Sequence, residues 1–254
     1  FSGIISGTGG LVKDGTGTLT VSGANTYSGA TVIDGGILKG DTTSLPGDIT
    51  NNAALEFNQS ANGTYAGVVS GTGNMTKAGT GALTLTGTST VTGTSTVAAG
   101  TLIVNGAWAG ATTVDAGAAL EGTGQLADVV VSGTVAPGGS IGTLTVDEYT
   151  HNAGGTYACE LDAAGNSDLI LSNGDITING GTLSVTGLDA GGYDTTTQYM
   201  VMEAGDVLTG TFDTVIDNIA LYTATPDYTS TAVMVSLLRD TTDFAALSLK
   251  RNQQ

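Results

Sequence analysis

Residues 3–38, GIISGTGGLVKDGTGTLTVSGANTYSGATVIDGGIL, recur at residues 67–102 as GVVSGTGNMTKAGTGALTLTGTSTVTGTSTVAAGTL, with 16 of 36 positions identical at an offset of 64. A repeat of this kind constrains the fold more than any single residue, because a recurring unit buries its apolar face by stacking on its own copies. The expectation is an array of similar units, a scaffold before a catalytic pocket.

The pattern inside the units is that of short strands. Leu19-Thr20-Val21, Ile37-Leu38 and Leu55-Glu56-Phe57 form one series and Leu83-Thr84-Leu85, Leu102-Ile103-Val104 and Ala119-Leu120 another; Leu19 to Leu38 is 19 residues, Leu38 to Leu55 17, Leu83 to Leu102 19 and Leu102 to Leu120 18, and the offset of 64 is about three such steps. Propeller blades need about 40–45 residues. One coil of a parallel β-helix fits the shorter step. Alternation places Leu19 and Val21 inward and Thr18 and Thr20 outward, in coils about 4.8 Å apart. Glycine, 41 residues of the 254, supplies tight corners and positive φ. β-branched Val, Ile and Thr favour strands, and the parallel crossover rule favours a right-handed coil. With only three prolines and no G-X-Y period, collagen is excluded.

Charge removes whole classes of partner. The formal net charge is −17, and the six basic residues include only three lysines in the first 238 positions. Nothing there neutralises phosphates, so nucleic acid is not a partner, and anionic membrane surfaces repel the chain. No run of 18 apolar residues is present to span a membrane as a helix. The single cysteine, Cys159, precludes an intrachain disulfide. That is unusual outside the cytosol, but it suits a chain that crosses a second membrane unfolded. The chain opens mid-pattern at Phe1, as a processed end does.

Candidate chemistry is sparse. His151 is the sole histidine and sits in the polar strand Tyr149-Thr150-His151-Asn152, with no G-x-S-x-G nucleophile to serve. Cys159 alternates with Tyr157 and Leu161 and reads as an inward small hydrophobe, with no basic neighbour to activate it. No Cys/His cluster or calcium loop is present, so no metal or cofactor is expected. Asp34 and Asp115 read as solvated turn residues, the GTGG and GTGTL stretches as turns, and Trp108 as a core or corner residue.

The segment GTGGLVKDGTGTLTVSGANTYSGATVIDGGIL closely resembles the passenger-associated transport repeat of Gram-negative autotransporters. The second copy matches less well, because Asn25 and Tyr27 become Ser89 and Val91. Residues 133–146, GTVAPGGSIGTLTV, resemble the opening of the autochaperone region of pertactin-like passengers. GGTYACEL (154–161), NSDLIL (166–171), GGTLSV (180–185) and GTF (210–212) follow in that family's order. Residues 243–253 resemble the start of the linker helix into an outer-membrane barrel.

The resemblance implies an all-β, right-handed parallel β-helix with a C-terminal autochaperone cap. It divides the chain into repeat-bearing coils (1–135), an autochaperone-like region (136–238) and the start of the linker helix (239–254). It marks Pro137, Gly138, Gly142, Tyr157, Asp168, Tyr199, Gly210 and Phe212 as structural and folding residues. It implies the membrane-proximal part of a passenger at the bacterial surface or secreted, with the signal peptide, distal passenger and barrel outside this sequence. The implied roles are scaffold, folding driver for export, and virulence-associated adhesin, not enzyme. The implied partners are a host receptor, matrix or glycan, another passenger, and the chain's own C-terminal barrel. The alternative is a β-helical polysaccharide lyase or hydrolase. The scarcity of Arg and Lys opposes the lyase, and a hydrolase needs paired carboxylates across a cleft.

Overall fold

The computed structural model describes residues 1–240, which hold 32 strands and no helix. Three short strands make one coil. Asn74–Ala78, Ala82–Leu85 and Thr88–Ser89 form one, and Ser95–Val97, Thr101–Val104 and Ala107–Trp108 form the next. Each strand pairs in parallel with its counterpart one coil on, as in Met75↔Ser95, Leu83↔Leu102 and Ser89↔Trp108. The chain is a parallel β-helix.

Its three faces are continuous ladders. Face I has ten strands, from Thr18–Thr20 to Leu208–Gly210, and face II has eight, from Gly63–Tyr65 to Thr214–Asp217. Face III starts with the four strands from Leu11–Lys13 to Val69–Ser70 and continues from Thr88–Ser89 onward. The hydrogen bond from Thr90 N to Val69 O (2.9 Å) joins its two parts.

The leucine spacing corresponds to the registers. Leu19↔Leu38, Leu38↔Leu55, Leu83↔Leu102 and Leu102↔Leu120 are all Cα partners. In-register parallel stacking puts like on like. The inward file of face II runs Leu83, Leu102, Leu120, Val135, Tyr157, Leu183, and every member is 0% exposed. Burying one such aliphatic side chain is worth about 1.5–3 kcal/mol. Outward positions carry threonine, as in Thr76, Thr96 and Thr113 on face I. The Lys39–Glu56 ion pair (2.6 Å) lies in the same outward file and is partly exposed; such pairs contribute at most about 1 kcal/mol.

The offset of 64 is not a whole number of coils. Three coils on from Val12 comes Ser70, by way of Val32 and Thr50. Residue 76, the counterpart of Val12 in the second repeat, lies in the following strand on face I, paired with Glu56. Each repeat therefore advances three coils and one face. The two copies build the same local structure on adjacent faces of the prism.

Beyond Tyr149 the coils widen. Register partners stand 27 and then 32 residues apart (Tyr149↔Ile176, Ile176↔Leu208), with the excess in loops at residues 162–167 and 188–197. The ladder then stops being parallel. Gln198–Ala204 pairs antiparallel with Ala232–Arg239, which pairs antiparallel with Tyr222–Tyr228. This arrangement ends face III in an antiparallel hairpin whose outer strand is Tyr222–Tyr228. Arg239, placed in the linker on sequence grounds, is the last residue of that strand. The expected linker helix lies outside the described residues except for Asp240, whose N–H bonds the Leu221 carbonyl (2.8 Å).

Candidate functional site

The structure brings the eight residues marked by sequence into one region, where the coils widen. The loop that carries the chain from face II to face III after Thr134–Pro137 is tied on both sides. Gly138, at φ 78°, donates its N–H to Gly122 O in the preceding coil (2.8 Å). Gly142 donates to Asp168 Oδ1 in the following coil (2.8 Å). Asp168 is 1% exposed and takes a second backbone N–H, from Glu160, on Oδ2 (2.9 Å). Burial pushes its pKa up to about 6, with the Glu160 and Gly142 N–H bonds pulling the other way and the Glu160 carboxylate adding to the rise.

Tyr157 spans the core from face II to face III. It is fully buried, and its hydroxyl reaches Val201 O (2.8 Å) and Asp168 O (3.2 Å). Tyr199 closes the neighbouring loop by donating to Asp162 O (3.0 Å). Inside that loop the Asp162 carboxylate accepts Asn166 N–H (2.8 Å) and Ala164 N–H (3.0 Å). Tyr193 and Tyr222 pack edge to face at 5.7 Å over the second loop, with Tyr222 bonding Tyr193 O. Gly210, at φ 82°, ends the last strand of face I. It delivers Phe212, 7% exposed, onto His151 (ring centroids 5.1 Å) and Tyr157 (6.5 Å).

His151 belongs to this cluster, which its polar sequence surroundings do not suggest. The ring is fully buried, and Nδ1 shares a hydrogen bond with Tyr149 OH (2.9 Å). Nε2 has no hydrogen-bond partner. The Gly155 backbone lies beside the ring without meeting Nε2 at bonding geometry. Burial therefore dominates and holds the His151 pKa below its ordinary value, with the Gly155 backbone opposing. A base so enclosed cannot serve a Ser/His/Asp triad.

The unfolded chain takes up the proton first, so the stability contributed by neutral His151 is complete above pH about 6.5 and lost as pH falls below it. Asp168 acts the other way, because its raised pKa gives stability in acid that is lost as pH rises through about 6. Wild type is expected to lose more stability between pH 7.5 and pH 5.0 than His151→Phe does, measured by urea midpoints. Equal losses would show that His151 does not titrate on unfolding.

Cys159, Trp108 and Asp34 lie where their sequence neighbours place them, while Asp115 is half-buried. Cys159 is buried, and burial raises its thiol pKa far out of the reactive range. Trp108 is a core residue that donates Nε1–H to Ser95 Oγ (2.8 Å). Asp34 is exposed. Glu121, Glu160 and Asp168 line a recess on face II with Pro137 and Ser140. The Asp168 carboxylate is already occupied by two backbone N–H groups. Among the described residues no group of His, Cys, Asp and Glu is arranged to hold a metal ion.

A repeat-built parallel β-helix with an antiparallel hairpin at one end and a buried aromatic cluster beside it defines a β-solenoid. The Passenger-associated-transport-repeat family matches residues 11–39, 75–104 and 161–185. The third stretch escaped the sequence reading because loop 162–167 interrupts its period. Over 241 residues (82% of this chain) the sequence is 37% identical to the adhesin BmaC autotransporter of Brucella suis biovar 1 (strain 1330). Over 197 residues (73% of this chain) it is 27% identical to an extracellular serine protease of Serratia marcescens. The chain spans 7% and 19% of those relatives. The repeat match and both relatives support an autotransporter passenger domain, and such passengers are exported across the outer membrane to the cell surface or released.

Proposed function

We propose that this segment is a non-enzymatic adhesive scaffold whose own folding drives its export. Residues 136–238 act as an autochaperone, and residues 1–135 form the rod that grows on it. The reading rests on the asymmetry of the ladder. Antiparallel pairs stand at its C-terminal end, where Phe212 N–H also reaches Tyr228 OH in the hairpin, while the strands of the repeats pair in parallel. A chain emerging C-terminus first meets a finished cap and adds each coil to an open strand edge. Apolar stacking and backbone hydrogen bonds then oppose back-sliding without nucleotide. Pro137, Gly138, Gly142, Tyr157, Asp168, Tyr199, Gly210 and Phe212 are the residues we assign to this folding unit.

The acidic, threonine-faced rod carries binding regions outward, toward a host receptor, matrix or glycan, or toward a second passenger. The adhesin relative supports that role over the protease relative, because His151 is enclosed. Limited proteolysis tests the order of stability. Residues from about 136 to 238 are expected to survive after the N-terminal coils are digested, because their core holds the larger aromatic payload. Survival of the N-terminal half alone overturns the autochaperone assignment.

A further inference from the structure

The two lysines at equivalent places in the repeats, Lys13 and Lys77, are buried, at 5% and 0% exposure. Each ammonium has the same three partners by position. Lys13 Nζ donates to the carbonyls of Asp14 (3.0 Å), Gly15 (2.8 Å) and Gly35 (2.7 Å). Lys77 Nζ donates to those of Ala78 (3.1 Å), Gly79 (2.9 Å) and Ala99 (2.8 Å). All three protons of each ammonium are used. Two of the carbonyls belong to the lysine's own coil, and the third to the next coil toward the C-terminus. Glycine opens the space: a Cβ at Gly36 would stand 2.7 Å from Lys13 Nζ, and one at Gly100 would stand 2.9 Å from Lys77 Nζ. Both glycines have φ 66°. No carboxylate is among the partners of either ammonium.

We infer that each of these cages is a cation site for a primary ammonium, filled from within by the repeat lysine, and that filling it is how the repeat locks one coil to the next. The lysine is a positioning residue for coil closure. Without the ammonium, the half-buried Gly79 and Ala99 carbonyls would lose the donor it supplies, which is costly, while the Ala78 carbonyl keeps the Gln59 N–H (2.8 Å). On export from the C-terminal end, the Ala99 carbonyl is in place before Lys77 arrives. Its ammonium then pins the newest coil to the one already folded. This last step rests on the export reading above. The third matched stretch, 161–185, contains no lysine, and its corner uses the inverse device, the Asp168 carboxylate in backbone N–H groups.

The test uses three arms. In the purified chain, Lys77→Met keeps the side chain's length and removes the charge. It should raise the unfolded fraction about tenfold to a hundredfold, as loss of charge-assisted hydrogen bonds does. Stability equal to wild type overturns the inference. In Lys77→Ala, ethylammonium at about 0.1 M should raise Tm by mass action on the folded state. Tetramethylammonium, without N–H donors, should not, and wild type should respond to neither. An equal response of wild type and variant overturns the cation site. In cells, the full-length passenger bearing Lys77→Met should reach the surface in reduced amount at equal expression. Normal display of a protein shown in vitro to be destabilised overturns the export step and leaves the cage standing.

Discussion

Phe212→Ala is expected to cost about 3–5 kcal/mol, the range for deleting a phenylalanine from a packed core, and to stall surface display of the full-length passenger. A domain has about 5–15 kcal/mol in all, so the loss removes much of what a folding-driven export step can use. The side chain is 7% exposed and packs its ring on His151 and Tyr157, while its N–H reaches Tyr228 OH (3.2 Å). It therefore joins the end of face I to face II and to the capping hairpin. Val32→Ala, in an N-terminal coil, is expected to be mild. Val32 points outward between buried Thr31 and Ile33, so its truncation leaves no cavity. Ile33, fully buried, is the fair core comparison, and Ile33→Ala should destabilise the purified chain yet display better than Phe212→Ala. The measurement is surface display at equal expression beside urea unfolding of the purified chain. If Phe212→Ala is displayed normally although its purified chain is destabilised, folding of this region does not drive export.

Gly210→Ala is the second large effect expected, about 2–5 kcal/mol, from adding the cost of a left-handed backbone to that of forced overpacking. Gly210 has φ 82°, and an added Cβ would collide with the Ile178 carbonyl oxygen, its ladder partner one coil back. Neither backbone can yield, because both belong to face I. Gly139→Ala is the control. Gly139 is exposed, with nothing within 4 Å of its Cβ position, and its substitution should change the urea midpoint little. A Gly210→Ala protein as stable as Gly139→Ala would mean that the last strand of face I does not hold its register in solution.

These two residues illustrate how unevenly the site was legible. The motif GTF and the aromatic content pointed to Gly210 and Phe212, but the partners that make them matter are 32 and 61 positions away, at Ile178 and His151. His151 looked polar from its neighbours along the chain. Only the stacking of coils shows that its ring is sealed between Tyr149 and Phe212. Lysine stood at the same place in both repeats, yet its third carbonyl comes from the next coil, 22 residues on. No local pattern can indicate that such an ammonium is inside.

The coil follows from local pattern alone. A parallel ladder pairs each residue with the one a single turn away, so the spacing of leucines is also the register, and the four spacings read along the chain are four observed pairings. Alternation set inside from outside for the same local reason. How features distribute around the prism emerges only when the coils are stacked. The 64-residue repeat ends one face beyond a whole turn because the three coils from Val12 to Ser70 take only 58 residues, and that sum depends on corners whose lengths no periodicity fixes. The antiparallel cap and the widened coils beneath it belong to the same class. They arise from contacts between segments far apart in the chain, where the balance of burial and hydrogen bonding is settled by packing and not by local propensity.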